Sequence, residues 1–366
     1  MSNSVFRKKS IIAIGTFDGV HLGHRYLIRQ AGLYRGKIAS YGDAFGYDSL
    51  RCTALTFDRH PSSILRPGLE PLRLTGLSQK IDLLLNTGVD NVCVIKFDKQ
   101  RSQLSAHDFI AEFLVKELNA AAVFVGENFR FGHQATGDTQ LLAQMAEEMG
   151  FYFQSVPLLV DKKLRTTISS TAIRTLIISG NIQEANRLLG RPHAVSANFV
   201  SFGENGLMFA IPRKTAFPVA GAYSGRLKAL KRQTNFAQWD ELGAEEDYVC
   251  IKDTGISEAT EVFADITIRL CPPEGSVGEA KDSGTYAENL TPDSGIAAED
   301  GNPGSEYRVN PTTNEQLDFI NSGTQIIELS GIGKKKIDFR QFGTLPSSED
   351  NGAGERYLIE LEARLD

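Results

Sequence analysis

The chain has 366 residues, a formal net charge of −6 and 41% hydrophobic residues, enough length for two domains, each with its own core. The acidic balance excludes the basic stripe that a nucleic-acid-binding surface needs, and no apolar run reaches the ~18 residues of a membrane span. Cys52, Cys93, Cys250 and Cys271 lie far apart with no Cys-x-x-Cys pair, and three sit in apolar, strand-like runs, so reduced thiols and a cytoplasmic location are expected.

Arg7, Lys8 and Lys9 precede an apolar run too short for a signal peptide. That run, Ile11-Ile12-Ala13-Ile14, reads as a strand buried on both faces, as in a parallel sheet. Gly15 ends it, and a helical stripe of Leu22, Tyr26, Leu27 and Ala31 begins near His21. A strand, a tight loop and a helix start leave free N–H groups and a positive dipole end above the sheet. Gly15, Gly19 and Gly23 let a phosphate chain approach the backbone. His21 and His24, one helical turn apart, both can donate to phosphate oxygens. The pattern suits a nucleoside triphosphate without a P-loop lysine. Each part has a plainer reading: a histidine that caps or packs, and glycines that only turn the chain.

The residues from 35 to 50 read as a loop, Cys52–Phe57 as a strand ending in Asp58-Arg59-His60-Pro61, and Ser78–Leu85 as a helix. Asn91–Phe97 is a third strand, Ala106–Leu118 a helix, and Ala120–Val125 a fourth strand ending in Gly126-Glu127-Asn128-Phe129-Arg130-Phe131-Gly132. Thr139–Met149 is a helix and Phe151–Val156 a fifth strand. Such alternation predicts an α/β domain with a Rossmann-like parallel sheet, and a ligand beyond the carboxyl ends of its strands. Ser169, Ser170 and Thr171 open a further helix, with Arg174 inside it and Arg165 upstream. Either Ser170 or Thr171 is an N-cap, or the group is a second anion clamp.

After Gly190-Arg191-Pro192, short apolar runs (195–202, 207–211, 249–251, 262–270, 325–329, 357–361) alternate with turn residues and predict a smaller, mostly β, barrel-like domain. The domains are expected at 1–189 and 190–366, with a polar, disordered insertion at about 272–313.

Five blocks carry a resemblance: Gly15-Thr16-Phe17-Asp18-Gly19-Val20-His21-Leu22-Gly23-His24, Thr56–Pro61, Val125–Gly132 with Gly137-Asp138, Ile168–Arg174 and Leu188–His193. Over roughly the first 193 residues the chain resembles the nucleotidyltransferase half of the bacterial FAD synthetase family, bifunctional riboflavin kinases/FMN adenylyltransferases. Arg59 stands where the family usually has proline, and His193 where tyrosine is usual. The resemblance implies adenylyl transfer from ATP to FMN with Mg²⁺, giving FAD and pyrophosphate. His21, His24, Asn128 and Arg174 would be catalytic, and Gly15, Thr16, Phe17, Asp18, Gly23, Gly126, Arg165, Ser169, Ser170 and Thr171 would bind ATP and its phosphates. Phe57, Asp58, His60, Pro61, Asn128, Phe129, Arg130 and Phe131 would bind flavin. No metal ligand, nucleic acid, membrane or oligomeric state is assigned. The family's riboflavin kinase barrel carries a Gly-Phe-Pro-Thr-Ala-Asn motif that Ala194–Ile211 lacks. Pro311-Thr312-Thr313-Asn314 imitates it too late in the chain, so kinase activity is expected to be absent. Two alternatives are a cytidylyltransferase and a non-catalytic flavin-binding protein.

Overall fold

A computed structural model describes residues 8–39, 50–202, 207–212, 214–219, 221–230, 248–252, 265–269, 324–331 and 356–365. The first strand, β1 (Ser10–Ile14), is buried along its whole length. It pairs in parallel with β2 (Arg51–Phe57) on one side and β4 (Ala120–Gly126) on the other. β3 (Asn91–Ile95) lies beyond β2, and β5 (Tyr152–Val156) beyond β4, both parallel. Alternation along β1 divides the packing. Ile11 and Ala13 face a core with Leu27, Ile28 and Ala31 of α1 (Leu22–Ala39) and Ile81 and Leu84 of α3 (Leu77–Leu85), α2 being the short turn Ser62–Leu65. Ile12 and Ile14 face Phe109, Phe113, Leu142 and Met145 across the sheet. These come from α4 (Ala106–Asp108, continued as a π-helix over Phe109–Glu117) and α5 (Thr139–Met149). The expected Rossmann-like parallel sheet is present.

Helix α1 runs through Ala39, past the loop expected from residue 35. Tertiary contacts carry the extra turns: Tyr34 stacks on Tyr152 and Arg35 pairs with Asp90. After β5 come a small hairpin, β6 (Val160–Asp161) and β7 (Thr166–Thr167), and then α6 (Ser170–Ile178) and α7 (Ile182–Leu189). Ile173, Ile177, Leu188 and Leu189 share a core with Phe209, Ile211, Tyr223 and Ile359 of the second half. α6 and α7 thus pack on the barrel, so the boundary expected at 189–190 passes through one continuous core.

In the second half, β8 (His193–Phe202), β9 (Leu207–Pro212), β10 (Ala222–Leu230), β12 (Asp265–Arg269), β13 (Thr324–Gly331) and β14 (Arg356–Leu365) close an antiparallel barrel in the order β10-β12-β13-β9-β8-β14. β11 (Tyr248–Lys252), expected among the barrel runs, instead pairs antiparallel with β3 and extends the first sheet to six strands. Its register sets Cys250 opposite Cys93. Cys52 and Cys93 are both buried, and burial pushes the Cys52 pKa up to about 11. Cys271, the turn at 203–206, the polar stretch at 272–313 and Pro311–Asn314 lie outside the described residues. Among the described residues no helix is long and apolar enough to cross a membrane.

Candidate active site

At the carboxyl end of β1 the chain turns sharply. Gly15 N–H donates to Leu55 O (3.1 Å), and Phe17 and Val20 then take φ of 50° and 39°. Left-handed φ at a β-branched residue is a strained conformation of the kind that clusters at binding sites. The Phe17 ring is completely buried and stands edge-on to His24, centroids 5.2 Å apart. Phe17 is therefore the anchor of the loop, and its side chain lies in the core rather than facing a phosphate.

His21 is 4% exposed and stacks on His24 at 3.6 Å. The His24 backbone N–H donates to His21 Nδ1 (3.3 Å), in the manner of a helix N-cap. An accepting Nδ1 leaves the His21 proton on Nε2. Burial, then the charge of Arg191, lowers the His21 pKa to about 3. His24 is held well below its ordinary value by burial, then by His21, Lys80 and Arg191. Both rings are neutral at pH 7, and His24 Nδ1 is buried with no hydrogen-bond partner among the described residues. Gly23 makes the stack possible, since a Cβ there would stand 3.1 Å from the His21 ring and 3.2 Å from Ile168 O.

Asp18 faces inward. Its carboxylate accepts from Leu74 N–H (2.9 Å), Thr75 N–H (3.2 Å) and Arg174 Nη2 (3.1 Å). Arg174 Nε donates to Leu72 O (2.6 Å), and Ser170 Oγ to Asp18 O (2.8 Å). Asp18, Arg174 and Ser170 thus tie together the glycine loop, the segment 72–75 and the start of α6. The α6 cap is Ser169, which accepts from Ala172 N–H (3.2 Å), rather than Ser170 or Thr171. Thr171 is exposed in the first turn, and Arg165 is exposed in the hairpin between β6 and β7 with φ 50°.

The loop after β2 forms the next wall. Asp58 accepts from Phe97 N–H (2.9 Å) and Arg59 Nε (2.9 Å), so the arginine where the family has proline is paired at once. The Phe57 ring meets Phe97 edge-on. His60 Nδ1 bonds Ser62 Oγ (2.6 Å), with Pro61 at the start of α2, and burial lowers the His60 pKa. Thr16, Asp18, Asp58, His60 and Arg73 line a small cleft, and Lys80 lines it with them. Lys80 donates from Nζ to Phe57 O (2.7 Å) and Thr16 O (3.3 Å), and burial lowers its pKa to about 8. The sequence reading missed it. Its signal is a lysine on the buried stripe of α3 beside Ile81 and Leu84.

The loop after β4 lies at the neighbouring strand end. Phe131 is buried against Phe109, stacks with Phe129 (5.5 Å) and pairs through its backbone with Gly137. Asn128 and Arg130 are exposed, with Arg130 3.2 Å from Asp138, and Asn128 Oδ1 lies over Gly126. Among the described residues no group of three or more His, Cys, Asp and Glu is placed to hold a metal ion. The site offers neutral imidazole N–H groups, a helix N-terminus and buried cations at adjacent strand ends, chemistry of the kind that suits an anion.

The family model described as FAD synthetase matches residues 4–172. The Escherichia coli (strain K12) bifunctional riboflavin kinase/FMN adenylyltransferase is 34% identical over 223 residues, 58% of this chain and 66% of that protein. The Listeria monocytogenes protein of the same name is 34% identical over 205 residues, 55% of this chain and 60% of that protein. The matches thus span about three-fifths to two-thirds of the relatives' length. A crystal structure described as a macrolide-efflux protein from Streptococcus pneumoniae superposes over 98% of this chain and 85% of that one, with a TM-score of 0.59 and 19% identity. That likeness is one of fold. The glycine loop, the histidine pair, the Asp58 loop, the loop after β4 and the start of α6 all lie within the matched span, and over residues 4–172 this chain matches the FAD synthetase family.

Proposed function

We propose that the chain transfers the adenylyl group of ATP to FMN, releasing FAD and pyrophosphate. The observation that carries this is the stacked, neutral His21–His24 pair at the start of α1, within the span that matches the family. An FMN phosphate oxygen attacks the α-phosphorus of ATP, and the bond to the bridging oxygen of the β-phosphate breaks. The attacking phosphate is already anionic, so no side-chain nucleophile or base is needed. The work is alignment and stabilisation of charge. His21 Nε2–H and His24 donate to the triphosphate, the α1 N-terminus faces it, and Lys80 adds charge from beneath the cleft. Asn128 and the Phe129–Phe131 loop supply the flavin side. Arg174 and Asp18 hold the walls in register, while Thr171 and Arg165 are the exposed groups free to meet the leaving pyrophosphate.

Mg²⁺ enters as the Mg·ATP substrate complex, bound through phosphate oxygens. The carboxylates Asp18 and Asp58 are committed to backbone N–H groups and arginines, which leaves them poor donors for a resident ion. For the second half we infer a barrel without riboflavin phosphorylation. The stretch 194–211 holds β8, β9 and their connection, with no Pro-Thr-x-Asn for a metal and nucleotide. Incubation with FMN, Mg²⁺ and ATP should give FAD and pyrophosphate in equal amounts, and CTP in its place should give neither. Release of pyrophosphate from CTP alone would favour a cytidylyltransferase, and no release from either would favour a flavin-binding protein. Riboflavin with Mg·ATP should give no FMN, and turnover comparable to FAD synthesis would overturn the inference about the barrel.

A further inference from the structure

The Gly190-Arg191-Pro192 exit from α7 is not used by any step above. Helix α7 closes on Gly190 with φ 71°, its N–H donating to Asn186 O (2.8 Å), and Arg191 N–H returns to the same carbonyl (3.2 Å). A Cβ at position 190 would stand 2.5 Å from Leu22 Cδ2, so the end of α7 is pressed against the first residue of α1. From there the Arg191 side chain runs to the glycine loop, where Nη2 donates to Gly19 O (2.7 Å). Its Nη1 is buried and has no hydrogen-bond partner among the described residues. A guanidinium taken out of water and left half-paired costs stability. The charged groups that face it are Arg25 of α1 and Glu360 of β14. Arg191 in turn faces His21, and it faces His24 together with Lys80.

We propose that Arg191 is a positioning residue for the phosphate site: it pins the Gly19 carbonyl and stands as a fixed cation behind the His21–His24 pair, and a bound nucleoside triphosphate completes its counter-charge. This rests on the adenylyl-transfer reading. It assigns the two imidazoles the role of neutral donors and places a permanent positive charge on the arginine. Burial and the Arg191 charge both keep His21 unprotonated, and the His24 backbone N–H on its Nδ1 leaves its one ring N–H at Nε2.

The test uses full-length Arg191→Gln and Arg191→Lys, with ATP binding measured by calorimetry in the absence of FMN, the pH profile of FAD formation, and the thermal midpoint. Arg191→Gln should weaken ATP about ten-fold, leave the KM for FMN unchanged and leave the thermal midpoint unchanged or higher. Its acid limb for kcat/KM should move to higher pH, because imidazoles without the neighbouring cation take a proton more readily. Arg191→Lys keeps the charge and should keep the wild-type acid limb. Wild-type ATP affinity and acid limb in Arg191→Gln overturn the proposal. So does a fall in kcat that tracks a fall in thermal midpoint with the acid limb unmoved, the signature of a purely structural role. Should Arg191→Gln fail to fold, Arg191→Lys decides: weakened ATP with an unlowered midpoint upholds the proposal, and wild-type ATP affinity with a lowered midpoint overturns it. A wild-type protein that neither binds ATP nor forms FAD overturns the adenylyl-transfer reading itself, whereas an active wild type matched by Arg191→Gln overturns this inference alone.

Discussion

His21 and Asp18 lie three residues apart and divide the labour of one loop. His21 carries its ring proton on Nε2, the donor the proposed reaction calls on, because its other ring nitrogen is committed to the His24 N–H. His21→Ala should lower kcat about 10²–10³-fold, the scale for one lost preorganised donor, with the fold intact by circular dichroism. Near-wild-type FAD formation would remove His21 from the mechanism. Asp18 was expected at the phosphates, yet its carboxylate is consumed by Leu74, Thr75 and Arg174. Breaking a buried pair leaves the partner charge uncompensated, which costs about 3–5 kcal/mol. Both side chains are nearly buried, 13% and 11% exposed, so Asp18→Ala should lose about 3 kcal/mol in urea denaturation. A stability loss under 1 kcal/mol with abolished ATP binding would return Asp18 to the role of a direct ligand.

At the scale of elements, the site is made where α1 starts, and the geometry of that start depends on one missing side chain. Gly23→Ala would put a methyl 3.1 Å from the His21 ring. The ring must shift by a few tenths of an ångström, because the other neighbour is the Ile168 carbonyl. The expected result is a kcat lower by on the order of ten-fold or more, with a thermal midpoint close to wild type. An unchanged kcat would mean that the stack tolerates displacement. α6 contributes in another way. Its cap is satisfied internally by Ser169, which frees Ser170 to hold the Asp18 carbonyl from across the cleft. The strand β11 leaves the barrel and closes the edge of β3, which covers the unpaired backbone of an otherwise open edge.

Across the whole molecule, the segment 70–75 joins the two halves. Asp18 and Arg174 hold it from the glycine-loop side. From the barrel side, Arg73 N–H donates to Lys214 O (2.7 Å), Ala216 N–H donates to Arg73 O (2.7 Å), and Lys214 pairs with Glu70. Arg73 also lines the cleft, so the barrel braces one wall of the site. Reversing either charge, Glu70→Lys or Lys214→Glu, should raise the KM for FMN by roughly two- to five-fold, the range for such pairs, and the double exchange should restore it. Equal KM values in all four proteins would disconnect the barrel from the cleft. Acid stability is a second property of the whole chain. His21 titrates at about 3 and His193, held by burial and bonded through Nε2 to Ala216 O (2.9 Å), at about 4. The unfolded chain binds these protons near pH 6.5, so the stability these neutral rings contribute is whole above that pH. It is lost as pH falls through the window down to about 3–4, by about 1.4 kcal/mol per pH unit for each histidine titrating. Denaturation midpoints constant from neutral pH to pH 4 would contradict this.

Local pattern determined much of this protein. The unbroken apolar run Ile11–Ile14, the glycines that follow and the 3.6-residue stripes of the helices are nearest-neighbour properties, and they made the parallel sheet and its order of elements legible without coordinates and pointed to a candidate site at the carboxyl ends of its strands. The barrel was legible as a class from its alternating runs, since a period of two requires only one buried face. Only the tertiary structure decided which polar groups line the cleft and which hold its walls. Asp18, Asp58 and Arg174 carry the right chemistry for a phosphate site, but their partners at Leu72, Leu74, Thr75 and Phe97 are distant in sequence and close in space. The same holds for the destination of β11, the pairing of α6 and α7 with the barrel, and the burial of Lys80 and Arg191. Charge and hydrogen-bonding capacity are written in a residue's type, but the cost of leaving water, and the partner that offsets it, exist only once the chain has folded.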